Sequence, residues 1–198
     1  MNTNLQRAIV LSLLVLLMAA TRSHVFSHFT PVPDATWAAF FVGGFYLRAW
    51  ARWAFPALMA LAVLIDYLVI SGQGIDFFSH YCVSPGYWML VPAYAAMWAG
   101  GHWLRSRYAG ASFGALARLA GVLVAATAAC HLFAQGGFYW LSSAVAEPTF
   151  AGWAANYGHW FPSYLAATAM FVAVAAIAQV VSEVVARNAG HAHQHHKR

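Results

Sequence analysis

The distribution of charge constrains this chain most. Apolar stretches alternate with short connections, and the connections and stretch ends hold almost every Lys, Arg, Asp and Glu. The stretches are Ala8–Ala20, Ala35–Leu47, Trp53–Ile70, Tyr87–Trp103, Phe113–Ala134 and Trp160–Ala186. A membrane-crossing helix needs about 20 mainly apolar residues, because the hydrocarbon core is about 30 Å thick and a helix rises about 1.5 Å per residue. With 62% hydrophobic and 8% charged residues, the chain departs from soluble domains, in which about a quarter of residues are charged. The expected fold is therefore an all-α integral membrane bundle of six transmembrane helices over residues 1–187. A His-rich tail at 188–198 follows, suited to metal binding or equally to being an appended tag.

Several local features qualify this outline. Arg7 and Ala8–Ala20 also have the shape of a signal peptide, but Met18–Ala20 makes a poor cleavage site and Arg22 follows at once. Ala35–Leu47 is short enough to be re-entrant, and its Gly43-Gly44 pair permits close helix contact. Pro56 is expected in the first turn of the third helix, where a missing N–H costs nothing. Ala117, Gly121, Ala125 and Ala129 form a small-residue stripe that reads as an internal packing face. Gly136–His159 reads as a long aromatic connection, with Phe138–Trp140 and Trp153 along the membrane interface.

Basic residues orient the bundle. With six spans and a cytoplasmic N-terminus, Arg7, Arg48, Arg52, Arg105, Arg107, Arg187, Lys197 and Arg198 all fall inside, and Arg22 alone falls outside. That satisfies the positive-inside rule and places both termini in the cytoplasm. A re-entrant second segment would turn the later arginines outward. The formal charge of +5 is spread over segment ends and forms no nucleic-acid-binding face.

On this topology the candidate ligands share the outer side: His24, His28, Asp66, His80, Tyr81, Cys82, Tyr87, Cys130, His131, Tyr157 and His159. Asp66 stands out, since an acid within a transmembrane helix costs about 2.5–3.5 kcal/mol on insertion scales and is usually paired or functional. Its structural reading is an acid hydrogen-bonded to a nearby Tyr or His. Cys82 lies in the loop SGQGIDFFSHYCVSPGY, among His80, Tyr81 and Tyr87. A thiolate suits soft or redox-active centres, yet no CxxC pair is present. An inert thiol and a disulfide to Cys130 remain open.

Three functional classes follow, beside a purely structural subunit of a larger complex, a reading that Asp66 and the ligand-rich loops weaken. A thiol-redox membrane enzyme would use Cys82 with Cys130. A haem-binding subunit would need paired histidines at matched depth, and on the expected spans only His102 and His131 lie on helices, at opposite ends. The third class is a lid over a large, flat, partly apolar ligand, suggested by thiol, imidazole, phenol and indole groups in long outer loops.

The third class gains a specific form from family likeness. The loop TRSHVFSHFTPVPD with His28, the late third-helix acid Asp66, and Cys82 with Tyr87 five residues on resemble BtuM-type cobalamin transporters of the bacterial inner membrane. That family is similar in fold to the six-helix substrate-binding S-components of energy-coupling-factor transporters. The resemblance implies that Cys82 ligates the cobalt of cobalamin axially, with removal of cyanide from cyanocobalamin as an accompanying activity. It implies contacts to the vitamin or its surroundings from His28, Asp66, Tyr87, His80 and Tyr81. One thiolate is enough for such a centre, because the corrin supplies four equatorial nitrogens. Asp66 is a poor activator of the thiol, since a nearby carboxylate raises a thiol's pKa. No G-x-x-x-x-G-K-[ST] loop occurs, so ATP would have to be used by a partner ATPase module or not at all.

Overall fold

The computed structural model describes residues 4–23, 32–80 and 83–195, except the side chains of residues 189–195. It is 85% helical, with no strand among the described residues. Six α-helices follow one another: α1 (Asn4–Arg22), α2 (Thr36–Tyr46), α3 (Ala51–Gly72), α4 (Leu90–Ser106), α5 (Phe113–Leu141) and α6 (Phe150–His195). Short 3-10 turns lie at Arg48–Trp50, Phe77–Ser79 and Pro85–Met89. Four helical stretches are long and apolar enough to cross a membrane: α1, Arg48–Gly72, α5 and the part of α6 up to Asn188.

The short helix α2 is the centre of the bundle. Its sequence TWAAFFVGGFY is apolar on all sides, and a helix of that kind is stable only when surrounded. It touches α1, α3, α4 and α6, and Ala38, Ala39, Phe40 and Phe41 are almost fully buried. With 11 residues it spans about 16 Å, and protein covers most of it. Phe40 stacks on Tyr94 of α4 with ring centroids 4.5 Å apart, and meets Phe55 of α3 edge-on at 5.3 Å. Helices α2 and α4 press backbone to backbone. A Cβ on Gly44 would collide with the Trp98 carbonyl, and one on Gly101 with the Phe41 carbonyl.

The N-terminal amides of α2 find partners in the preceding chain, as buried helix ends require. Thr36 N donates to Asp34 Oδ1 (2.9 Å), and Ala35 N donates to Thr21 Oγ1 on α1 (3.1 Å).

The last two helices depart from the sequence expectation. The stretch Gly136–His159 is no long connection: α5 runs to Leu141, α6 begins at Phe150, and only residues 142–149 link them. Gly137, expected from sequence in that connection, is a helical contact point. A Cβ there would lie 2.5 Å from Met89 Cβ, so the glycine admits the 3-10 turn Pro85–Met89 against α5. The turn into α6 is closed by Thr149, whose N donates to Tyr139 Oη (3.3 Å) and whose Oγ1 accepts from Gly152 N (3.1 Å). Phe138–Trp140 and Trp153 are accordingly helical residues.

Pro162 lies inside α6, and Pro56 lies beyond the first turn of α3, because that helix starts at Ala51. Helix α6 also continues through the stretch read as a separate tail, as far as His195. The small-residue stripe on α5 faces outward instead of packing internally. Ala117, Gly121 and Ala125 are exposed, and a Cβ on Gly121 would meet nothing within 4 Å. The packing face is instead Ala115, Leu123, Ala126 and Cys130.

Candidate functional site

The C-terminal end of α1, the N-terminus of α2, the last turns of α3 and the start of α4 meet at one end of the bundle. There Arg22 joins groups far apart in sequence. Its Nε and Nη2 donate to Asp66 Oδ1 and Oδ2, both at 2.7 Å, a bidentate pair. Its Nη1 reaches Asp34 Oδ2 (3.0 Å), Tyr94 Oη (3.2 Å) and Thr36 Oγ1 (3.3 Å). The Tyr87 hydroxyl donates to Asp66 Oδ2 at 2.6 Å. The arginine and Asp66 side chains are only 13% and 19% exposed, so this ion pair is largely withdrawn from solvent.

The cluster holds both loops singled out from the sequence. Arg22 and Asp34 bracket the connection that carries His28, while Asp66 and Tyr87 bracket the one that carries Tyr81 and Cys82. His28, Tyr81 and Cys82 themselves lie outside the described residues. The chain on either side of residues 81–82 is well fixed. Asp76 caps the turn Phe77–Ser79 through Ser79 N (3.0 Å), and Phe77 is buried against Tyr67 and Tyr87. Val83 N donates to His80 O at 2.8 Å, and Ser84 Oγ accepts from Gly86 N. A Cβ on Gly86 would strike the Gly137 carbonyl of α5.

The geometry defines what Asp66 can do. Oδ1 accepts from Arg22, and Oδ2 accepts from both Arg22 and Tyr87, so the carboxylate is engaged as a strut. It does not stand ready as a base for a thiol. Sequence reasoning placed Asp66 and Tyr87 in one site but left Arg22 as an isolated exception to the charge rule. The available signal was that Arg22, the one arginine expected on that side of the bundle, had the acids Asp34 and Asp66 within the neighbouring segments to neutralise it.

A second polar feature went unrecognised. On α5, Thr127, His131 and Gln135 recur at four-residue spacing, which puts them on one helix face. His131 is buried beside Trp37, Tyr157 and Tyr164, with centroid distances of 5.9, 4.6 and 5.1 Å, and its Nε2 lies 3.2 Å from Tyr157 O. Thr127 Oγ1, His131 Nδ1, both Gln135 amide atoms and Trp153 Nε1 have no protein hydrogen-bond partner among the described residues. Such groups normally find water or a ligand. Polar residues at this spacing in an otherwise apolar helix were the legible sign.

Cys130 is a free thiol with 0% exposure. That is the setting of a structural cysteine and not of a reactive one, which weighs against a redox pair with Cys82. His159 lies on α6 against Trp160, so it joins His102 and His131 as a helical histidine. The sequence matches no protein-family model, and no curated protein matches it significantly.

Proposed function

We propose that this chain is a cobalamin-binding and uptake protein of the bacterial inner membrane. Six helices cross the bilayer, both termini lie in the cytoplasm, and the Arg22–Asp66 end faces outward. Four helical stretches have the length and apolarity to cross. In this reading the second crossing is made by α2 together with the non-helical residues 32–35 before it, inside a protein sheath, and α4 is lengthened by the helical turn Pro85–Met89 that leads into it.

The observation that carries the proposal is the junction of Arg22, Asp34, Asp66 and Tyr87. It ties the flanks of the His28 connection and of the Cys82 loop to one hydrogen-bonded cluster, as a two-sided lid over one ligand requires. In this reading Cys82 supplies an axial thiolate to the cobalt of the bound vitamin. Metal coordination itself deprotonates the thiol, so no neighbouring base is needed. Asp66 and Tyr87 position the loop, and His28, His80 and Tyr81 contact the vitamin or its surroundings. Removal of cyanide from cyanocobalamin takes electrons from an external reductant, since the sequence has no flavin, haem or nicotinamide fingerprint. Uptake proceeds either with a borrowed ATPase module or without one.

The test is retention of corrinoid by the protein purified from cells supplied with cobalamin. The proposal expects about one corrinoid per chain in the wild type and a clear loss in Asp66→Ala protein that still elutes as a folded species. A corrinoid-free wild-type preparation that also fails to bind added cobalamin would refute it.

A further inference from the structure

The opposite end of the bundle carries a feature that the vitamin site does not use. A cleft of about 380 Å³ lies there among α2, α4, α5 and α6, with an almost wholly apolar wall that includes Phe41, Leu104, Leu119 and Val172. That volume is within the roughly 300–1,000 Å³ of ligand-sized pockets. A second, polar cleft opens beside it and shares Tyr108, Ala111, Ser112 and Gln179 with the first.

Arg105, Arg118 and Arg187 line the polar cleft, and Glu183 is its single acid. Glu183 is already engaged by the Tyr108 hydroxyl (2.6 Å), Gln179 Nε2 (2.8 Å) and Ala111 N (3.1 Å), besides Arg187 at 3.3 Å. Three guanidinium groups therefore face one carboxylate, and the cleft mouth is net positive. Arg105 is held over the Phe45 and Tyr108 rings, 5.5 and 5.9 Å from their centroids, where the apolar and polar clefts join. Arg107 lies 4.1 Å over the Trp103 ring, an arrangement typical of side chains at the edge of a bilayer.

The geometry points to a binding site for one anionic phospholipid of the surrounding bilayer, with an acyl chain in the apolar cleft and its phosphate against Arg105 and Arg118. The charge selects the headgroup, and the neighbouring apolar wall selects a lipid over a free anion. Arg118 is held in place for this task, since its Nε and Nη1 donate to the carbonyls of Gly114 and Arg107, both at 3.1 Å, and the two N–H groups of Nη2 are left for a phosphate. The inference needs only that α5 and α6 lie in a membrane, and it is independent of the cobalamin reading.

Native mass spectrometry of the full chain in a mild non-ionic detergent provides the test. Phosphatidylglycerol, phosphatidylcholine with the same acyl chains, and inorganic phosphate are titrated separately. A single phosphatidylglycerol adduct is expected, retained with a preference of about tenfold over phosphatidylcholine, with no phosphate adduct. Arg105→Gln with Arg118→Gln is expected to abolish the preference, and Ala176→Phe, which fills the apolar cleft, to remove the adduct itself. Should these variants fail to fold, quenching of wild-type tryptophan fluorescence by phosphatidylglycerol brominated on its acyl chains, stronger than by the choline lipid, serves instead. Equal retention of both lipids, a phosphate adduct alone, or a lipid-free dimer would overturn the inference.

Discussion

Removing the charge of Asp66 while keeping its shape, Asp66→Asn, probes the junction under the two loops. Arg22 makes two 2.7 Å bonds to Asp66 and one 3.0 Å bond to Asp34, and the three side chains are 13%, 19% and 35% exposed. Breaking a buried ion pair by deleting one partner costs about 3–5 kcal/mol, mostly for the charge left behind. Asp34 still compensates Arg22 in part, which puts the expected cost at the lower end, about 3 kcal/mol, or roughly a hundredfold in the unfolding equilibrium. Asp34→Asn should cost at most about 1 kcal/mol, since a more exposed pair is screened and Asn can still accept from Thr36 N. The assay is unfolding of both variants in mixed micelles, followed by loss of helical circular dichroism. Arg22→Gln combined with Asp66→Asn should be less damaging than the sum of the single changes by about 1 kcal/mol or more. Equal costs for the two acids, or strict additivity in the double variant, would refute the strut assigned to Asp66.

Three further outcomes are expected. Reporter fusions after Arg105 and at the C-terminus should both register in the cytoplasm, and a periplasmic signal from either would invert the proposed orientation. Gly101→Ala should lower stability by about 1–3 kcal/mol or prevent folding, because its Cβ meets the Phe41 backbone, whereas Gly121→Ala should be neutral or stabilising; comparable thermal midpoints for the two would contradict the α2–α4 contact. Burial and the bond to Glu183 push the Tyr108 phenol up to about 12. Between about pH 10, where an unfolded tyrosine ionises, and pH 12, the folded state holds a proton that the unfolded state has lost, so stability should fall with rising pH. Glu183→Gln should flatten that fall, and an unchanged slope would remove Glu183 as a cause.

The helical bundle was legible because apolar length and charge placement act locally: Arg48, Arg52, Arg105 and Arg107 mark helix ends whatever the helices pack against. Boundaries failed where tertiary contact overrode local signals. Read from sequence, the fifth helix ends before Gly136, and only the approach of Met89 reveals Gly137 as a packing surface within that helix. The stripe Ala117–Gly121–Ala125 has the composition of an interface, but neither composition nor spacing says whether a face turns inward or outward, and this one is exposed. At the site, Asp66 was identifiable from its cost in an apolar helix. Its bond to Arg22, 44 residues away, depends on how α1 and α3 lie side by side, which no periodicity encodes.

The central claim, that Cys82 meets the cobalt of a bound corrinoid, is most directly tested by the visible absorption spectrum of the protein incubated with cobalamin. Wild-type and Cys130→Ala proteins should both show the shifted bands of a thiolate-ligated cobalt, and Cys82→Ser should show the spectrum of cobalamin without that ligand. Persistence of the shifted bands in Cys82→Ser, or their equal loss from Cys130→Ala, would contradict the account.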